Sequence, residues 1–142
     1  MTDQVSGRTD TKIVVIVRDD AEVWQRLNMT AFLTSGVAAR HPESIGEDYV
    51  DADGTKYLPM FGQPVLVFLA GKDDLTRAFD RALARDVTVS VFTGDLFATG
   101  NDADNRAAVA DVPRAELDVT GLAFRAHRRD ADKITKGLRL HP

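Results

Sequence analysis

After Lys12 the chain runs IVVIV, five apolar residues of which all are β-branched and none alternates with a polar partner. Successive side chains of a strand point to opposite faces, so a strand of this composition, residues 12–17, has two dry faces and needs a layer packed on each. The pattern returns along the chain. Residues 64–69, PVLVFL, and 87–93, VTVSVFT, are further strands, with Pro64 tolerated at a first position, and 117–126, LDVTGLAFRA, is a fourth.

Segments of helical period separate these strands. From Asp19 onward Val23, Leu27, Thr30, Ala31 and Thr34 share one stripe, Asp19 or Asp20 offers an N-cap carboxylate, and His41-Pro42 ends the helix beyond 36–40. Over 73–85, Leu75, Ala78, Phe79, Ala82 and Leu83 form a core stripe, while Asp74, Arg77, Asp80, Arg81 and Ala84 face water. A short helix is expected at 104–110, started by the polar cluster 101–105, and another at 130–136, closed by Gly137. Residues 49–61, YVDADGTKYLPMF, read as a hairpin over an Asp53-Gly54 turn. The alternation predicts an α/β domain with helices on both faces of one sheet.

With 142 residues the chain is expected to be one domain that buries enough surface to need neither disulfide nor metal. Residues 1–11 are polar and aperiodic and read as a disordered arm before a single domain at 12–142. Cysteine is absent, which removes disulfides, zinc thiolate sites and thiol chemistry. No leader and no membrane-length apolar run is present, so a cytoplasmic location is expected. The formal charge of −4 opposes broad nucleic-acid binding, which depends on cations neutralising phosphates.

The familiar chemical motifs fail on spacing. In NDADNR, residues 101–106, a calcium loop beginning at Asp102 would have Arg106 in fifth place and would lack the sixth-place glycine, so a helix cap is the better reading. His41, His127 and His141 are scattered, Ser35 and Ser90 have no nucleophile elbow, and no glycine pair matches a phosphate loop. No metal and no cofactor are expected. Near the carboxyl end Arg125, Arg128, Arg129, Lys133 and Lys136 outnumber Asp130 and Asp132. Arg128, Lys133 and Lys136 form a candidate anion patch; the competing reading is that cations near a helix C-terminus offset its dipole.

Position singles out the end of the first strand. In open α/β sheets ligands lie beyond the carboxyl ends of strands and beside helix N-termini, which is where Arg18 stands. On the following helix Trp24, Asn28 and Ser35 share a shoulder between core stripe and water, the place of a cleft wall, and Asn28 is a poor mid-helix residue. The competing reading has Trp24 covering the core edge and Asn28 merely solvated.

The segments KIVVIVRDDAEVWQRLNMTAFLTSG, YVDADGTKYLPMFGQPVLVF, LFATGNDADNRAAVA and GLAFRAHRRDADKITKGLRLHP, in that order, resemble the bacterial family known as domain of unknown function two thousand. That family is similar in fold to type II peptidyl-tRNA hydrolases, whose opening strand and turn KIVVIVRDD resembles and whose closing segment DKITKGLRL resembles. The resemblance implies a three-layer, mixed and mainly parallel four-stranded sheet between helices, often as a dimer. It does not bring the hydrolases' chemistry. Their Gly-Lys at the first helix is replaced by WQRLNMT, and their acidic loop by TGDLFATGND, where Asp95 and Thr99 match loosely.

The expectation is a non-catalytic ligand-binding or interaction domain with Arg18, Trp24, Gln25, Asn28 and Asp95 around its pocket. The alternative is a rebuilt hydrolase of an aminoacyl or peptidyl ester, with Asp95 as base and Arg18 stabilising negative charge. A homodimer built around the 49–61 hairpin is the third expectation, because Tyr49, Tyr57, Leu58, Met60 and Phe61 are apolar for a solvated excursion.

Overall fold

The structure is a computed structural model that describes residues 10–142; most of the expected arm, residues 1–11, lies outside the described residues. Thr11, counted with that arm, already opens strand β1 (Thr11–Arg18). The five apolar residues of the opening motif are at most 1 % exposed, as a strand covered on both faces requires. β1 runs parallel to β4 (Val65–Ala70), with Ile13 opposite Val65 and Arg18 opposite Ala70. On its other side it is antiparallel to β6 (Val119–His127), with Val15 opposite Ala123. β5 (Ser90–Thr93) pairs antiparallel with β6 at one edge of the sheet, and β7 (Arg139–Leu140) pairs antiparallel with β4 at the other. The order is β5-β6-β1-β4-β7.

Two expectations are thereby corrected. The sheet has five strands rather than four, and it is mixed with only the β1–β4 pair parallel rather than mainly parallel. Two residues carry no periodicity, so β7 exists only because β4 offers an open edge to the chain after Gly137, whose φ of 87° turns the backbone. The parallel expectation failed because β6 does not lie outermost. It inserts between β5 and β1, and an inserted strand antiparallel to both converts what would be parallel contacts into antiparallel ones.

Helices cover both faces. Alternate residues Ile13, Val15 and Val17 meet Met29, Leu33 and Val37 of α1 (Val23–Arg40) together with Phe92. Val14 and Ile16 point the other way, toward Leu75, Ala78, Phe79 and Ala82 of α2 (Lys72–Ala84) and Ala131 and Ile134 of α4 (Arg128–Ile134). The α2 stripe is the one its period predicts, with Leu83 partly buried. Helix α3 (Asp102–Ala110) follows a 3₁₀ turn, Gly94–Ala98, and buries no residue fully. No helix among the described residues is long and apolar enough to cross a membrane. The hairpin strands β2 (Tyr49–Val50) and β3 (Lys56–Tyr57) form a separate two-stranded sheet, turned by Gly54 at φ 83° as expected.

The buried stripe of α1 also differs from its prediction. Val23 and Leu27 are 66 % and 68 % exposed, while Met29, Leu33 and Val37 are buried. The helix carries two apolar stripes of equal period, and the sheet selects one by shape. Gly121 of β6 is the notch: a Cβ there would stand 3.0 Å from Leu33 Cδ1, 3.2 Å from Met29 Sδ and 3.4 Å from the Ile16 carbonyl oxygen. Gly121→Val should therefore lift α1 from the sheet, costing about 1–3 kcal/mol by overpacking. Urea unfolding checks this, and an unchanged midpoint would contradict the notch.

Candidate functional site

β1 delivers Arg18 at its carboxyl end, 8 % exposed. All three nitrogens of its guanidinium donate to protein groups. Nε and Nη2 donate to the two oxygens of Asp20 at 3.0 and 2.7 Å, and Nη1 donates to Asp118 Oδ1 at 2.6 Å and to the Val119 carbonyl at 3.3 Å. Bidentate pairing of this kind is the strong, directional form of an arginine–carboxylate contact. Asp20, first, and Asp118 raise the arginine's pKa above its ordinary value against the opposing effect of burial, and Arg18 in turn lowers that of Asp20. The residue thus ties the β1–α1 turn to the start of β6.

The start of α1 is set by residues other than Asp19 and Asp20. Glu22 is the N-cap, and its backbone N–H donates to Gln25 Oε1 at 2.9 Å, the return half of a capping box. Asp20 is held by Arg18 instead. Arg26 ties the turn further, donating to the carbonyls of Ala21 at 2.9 Å and Asp19 at 2.8 Å. Arg18 and Gln25 therefore hold the turn together, whereas Trp24 turns to a cleft.

Trp24, Asn28 and Phe32 step along one shoulder of α1 and form a wall of an open cleft. Opposite them stand Leu96, Phe97 and Thr99 of the turn after β5, and Asp102, Asn105 and Val109 of α3, with Phe92 as floor. The cleft has two lobes of about 400 and 340 Å³ that share Phe32, Phe92, Leu96, Asp102 and Asn105. A chain of aromatic rings runs through it. Trp24 meets Phe97 edge-on at 5.8 Å between centroids, Phe97 meets Phe92 at 4.8 Å, and Phe92 meets Phe32 at 6.2 Å. The first contact is edge-on and the other two are tilted, so none is the face-to-face sandwich that ring quadrupoles disfavour.

The polar groups around this lining are mostly paired. Asn101 caps α3, accepting from the Asp104 backbone N–H at 2.9 Å, and the Thr99 hydroxyl lies against two acceptors, the Leu96 carbonyl at 2.9 Å and Asn105 Oδ1, with one hydrogen to give. Arg106 pairs with Asp102 one turn away, so their charges offset each other. Trp24 Nε1 donates to Glu22 at 2.7 Å. The Asn28 amide makes no side-chain hydrogen bond among the described residues, and it stands in the wall.

Of the residues expected at a pocket, the fold brings Trp24 and Asn28 to this cleft but not Arg18 or Gln25. Asp95, on the turn Gly94–Ala98, is exposed and does not line it. The residues of the expected anion patch lie on and just beyond α4. Lys133 is exposed on α4, Arg128 opens that helix half-buried, and Lys136 lies beyond its end, where its carbonyl accepts from Arg81 at 3.0 Å. Helix 130–136 is thus corrected to Arg128–Ile134; Asp130 and Asp132 pair with Arg85 at 3.3 Å and Lys12 at 2.5 Å. No group of three or more potential metal-ligating His, Asp or Glu residues occurs among the described residues.

Phe32, Phe92, Phe97, Asn105 and Val109 had no motif to reveal them, because they belong to four elements that meet only in the fold. A second cleft of about 330 Å³, at the end of α1 near Arg40, His41 and Arg125, is less suited to a ligand. Its Arg125 already donates to Glu43 at 2.9 Å and Gln63 at 3.1 Å.

The Arg18 pairing has a consequence for acid stability. Asp20 has its pKa lowered from 3.8 by Arg18, so its contribution is complete above about pH 4 and is lost as pH falls through the depressed folded value. Asp20→Asn should be less stable than the parent at neutral pH and should converge with it in strong acid. Denaturant midpoints across that range check this, and a constant gap would show that the pairing does not titrate.

Comparison with known proteins places this architecture. No curated protein matches the chain. A solved structure of a protein of unknown function from Agrobacterium tumefaciens strain C58 is similar at 46 % identity, with a TM-score of 0.92 over 94 % of this chain and 99 % of that one. The model of a family described as protein of unknown function (DUF2000) matches residues 11–142. The chain therefore belongs to the DUF2000 family.

Proposed function

We propose that the domain binds a small, uncharged and largely apolar molecule in the cleft between α1 and α3, with Asn28 as the polar contact that orients it. The observation that carries this reading is the aromatic chain Trp24, Phe97, Phe92, Phe32 beside the Asn28 amide, which no side-chain hydrogen bond engages among the described residues. Concave sites lined by aromatic and aliphatic side chains with a few convergent polar groups are the usual form of small-molecule pockets. The Asp102–Arg106 pair supplies no net charge, which favours a neutral ligand over an anion. An amide such as that of Asn28 both donates and accepts, and so matches an amide or acyl-amide group on the ligand.

We read the scaffold as related to type II peptidyl-tRNA hydrolases, on the strength of KIVVIVRDD and DKITKGLRL. Binding is nevertheless better supported than ester cleavage. A general base must lie within hydrogen-bond reach of the proton it takes, whereas Asp95 stands outside the cleft lining, and Arg18 spends its donors on Asp20, Asp118 and the Val119 carbonyl.

Trp24 is the chain's single tryptophan and reports directly on the cleft. N-acetyl amino-acid amides with aromatic or branched side chains should shift its emission and raise the melting temperature, by mass action on the native state. Their free carboxylates should bind more weakly. Asn28→Leu should weaken the best amide about tenfold, equivalent to a hydrogen bond worth roughly 1.4 kcal/mol. Val109→Phe should fill one lobe and abolish the shift while leaving Trp24 the only tryptophan. If no amide in the series moves either signal in the parent protein, the proposal fails.

A further inference from the structure

Between β5 and β6 the chain leaves the sheet at Gly94 and returns to it at Asp118, and the two ends of this excursion are clasped together. The Gly94 N–H donates to the Asp118 carbonyl at 3.1 Å, and Asp118 is itself held by Arg18 at 2.6 Å. The base is also packed. Leu96 and Phe97 lie against the core under α1, and Leu117 lies against the core on the other face.

The middle of the excursion is held differently. Among the described residues, the side-chain, turn and cap hydrogen bonds and the ion pair made by 99–117 all end within 96–117. Thr99 lies against Leu96 and Asn105, Asn101 pairs with Asp104, Arg106 pairs with Asp102, and the Val112 N–H donates to the Val109 carbonyl at 3.2 Å. Helix α3 buries no residue fully, and its least exposed members, Asn105, Ala108 and Val109, are half-buried. Gly100 joins the turn to α3, and a Cβ there would meet nothing within 4 Å, so the joint itself is unpacked. The result is an internally bonded unit hung on a fixed base. Segments with few buried apolar contacts open at the least cost in free energy, and binding-site lids are drawn from them. Facing this one is a wall that lacks a cover: Trp24 and Phe32 are 56 % and 57 % exposed.

We propose that residues 99–113 are a hinged flap that closes the cleft over its ligand and carries Asn105 to it from the side opposite Asn28. This deepens the reading of the cleft as a binding site and rests on it. Asn105 lines both lobes; its Oδ1 faces the Thr99 hydroxyl, and its Nδ2 makes no hydrogen bond among the described residues. It is therefore set to donate to a ligand carbonyl. Amides on two opposed walls fit a ligand with polar groups on two sides, as a blocked amino-acid amide has in its acetyl and carboxamide ends. Movement of α3 toward α1 would bury Trp24, Phe32 and Val109 against the ligand and exclude water from both hydrogen bonds, which strengthens them.

The cysteine-free chain takes spin labels only where they are placed. Ala103→Cys on α3 with Thr76→Cys on α2 reads the flap, and Ser35→Cys on α1 with Thr76→Cys reads the fixed body; none of the three positions lines the cleft. In the free protein, double electron–electron resonance should give a clearly broader distance distribution for the first pair than for the second. Saturating N-acetylphenylalaninamide should narrow and shift the first and leave the second unchanged. Equal widths in the free protein overturn the flap. If the amide moves Trp24 emission while the first distribution stays as it was, the flap fails and the binding reading stands. If no amide binds, the binding reading fails and takes the role of Asn105 with it, and the widths in the free protein still decide the hinge. Asn105→Leu should weaken the amide about tenfold without changing either free distribution, because the Thr99 hydroxyl keeps the Leu96 carbonyl. Asn105→Gln, which retains the amide, should recover part of that loss; unaltered affinity in Asn105→Leu removes Asn105 from the site.

Discussion

Residues 13–17 of β1 sit essentially without solvent contact, and their alternate side chains feed two separate cores. Each such side chain contributes roughly 1.5–3 kcal/mol when removed from water, so neither face can be left open. One face needs α1, and the other needs α2 and α4. With β1 central, β4 and β6 must flank it, and the edges pass to β5 and β7. The three layers follow from the burial of one strand.

The end of that strand sets the rest of the site. Arg18 leaves the dry interior where the backbone turns, and a buried guanidinium is tolerable there because Asp20 and Asp118 meet it with good geometry. The same contacts fix the direction in which α1 departs. Once α1 is seated on Gly121, Trp24, Asn28 and Phe32 must face the turn after β5, and Val23 and Leu27 must face outward. Cleft and outward surface are two sides of one packing choice.

Much of the fold was legible in particular residues. The unbroken IVVIV run identified the central strand, the Leu75, Ala78, Phe79, Ala82 spacing identified the inner face of α2, and Asp53-Gly54 identified the hairpin turn. These signals are local, and each is imposed by the period or φ preference of a single element. The α1 stripe was misread for the same reason. Both of its stripes satisfy helical period, and the choice between them lies with Gly121, about ninety residues away in the chain. β7 was invisible because two residues have no period at all. In the site, Trp24 and Asn28 were readable from their shoulder position, whereas Arg18 drew attention by its place and is held by Asp118, a partner that no spacing predicts.

By itself the sequence determined the long strands, the long helices and the hairpin turn, that the sheet is covered on both sides, and that thiol chemistry is excluded, because these depend on composition and short-range period. Only the tertiary structure decided the order and direction of the strands, which stripe of α1 is buried, and which aromatic rings gather beside Asn28. Those outcomes depend on shape complementarity and paired charges between distant segments, and such contacts acquire an energy only when the whole chain is packed.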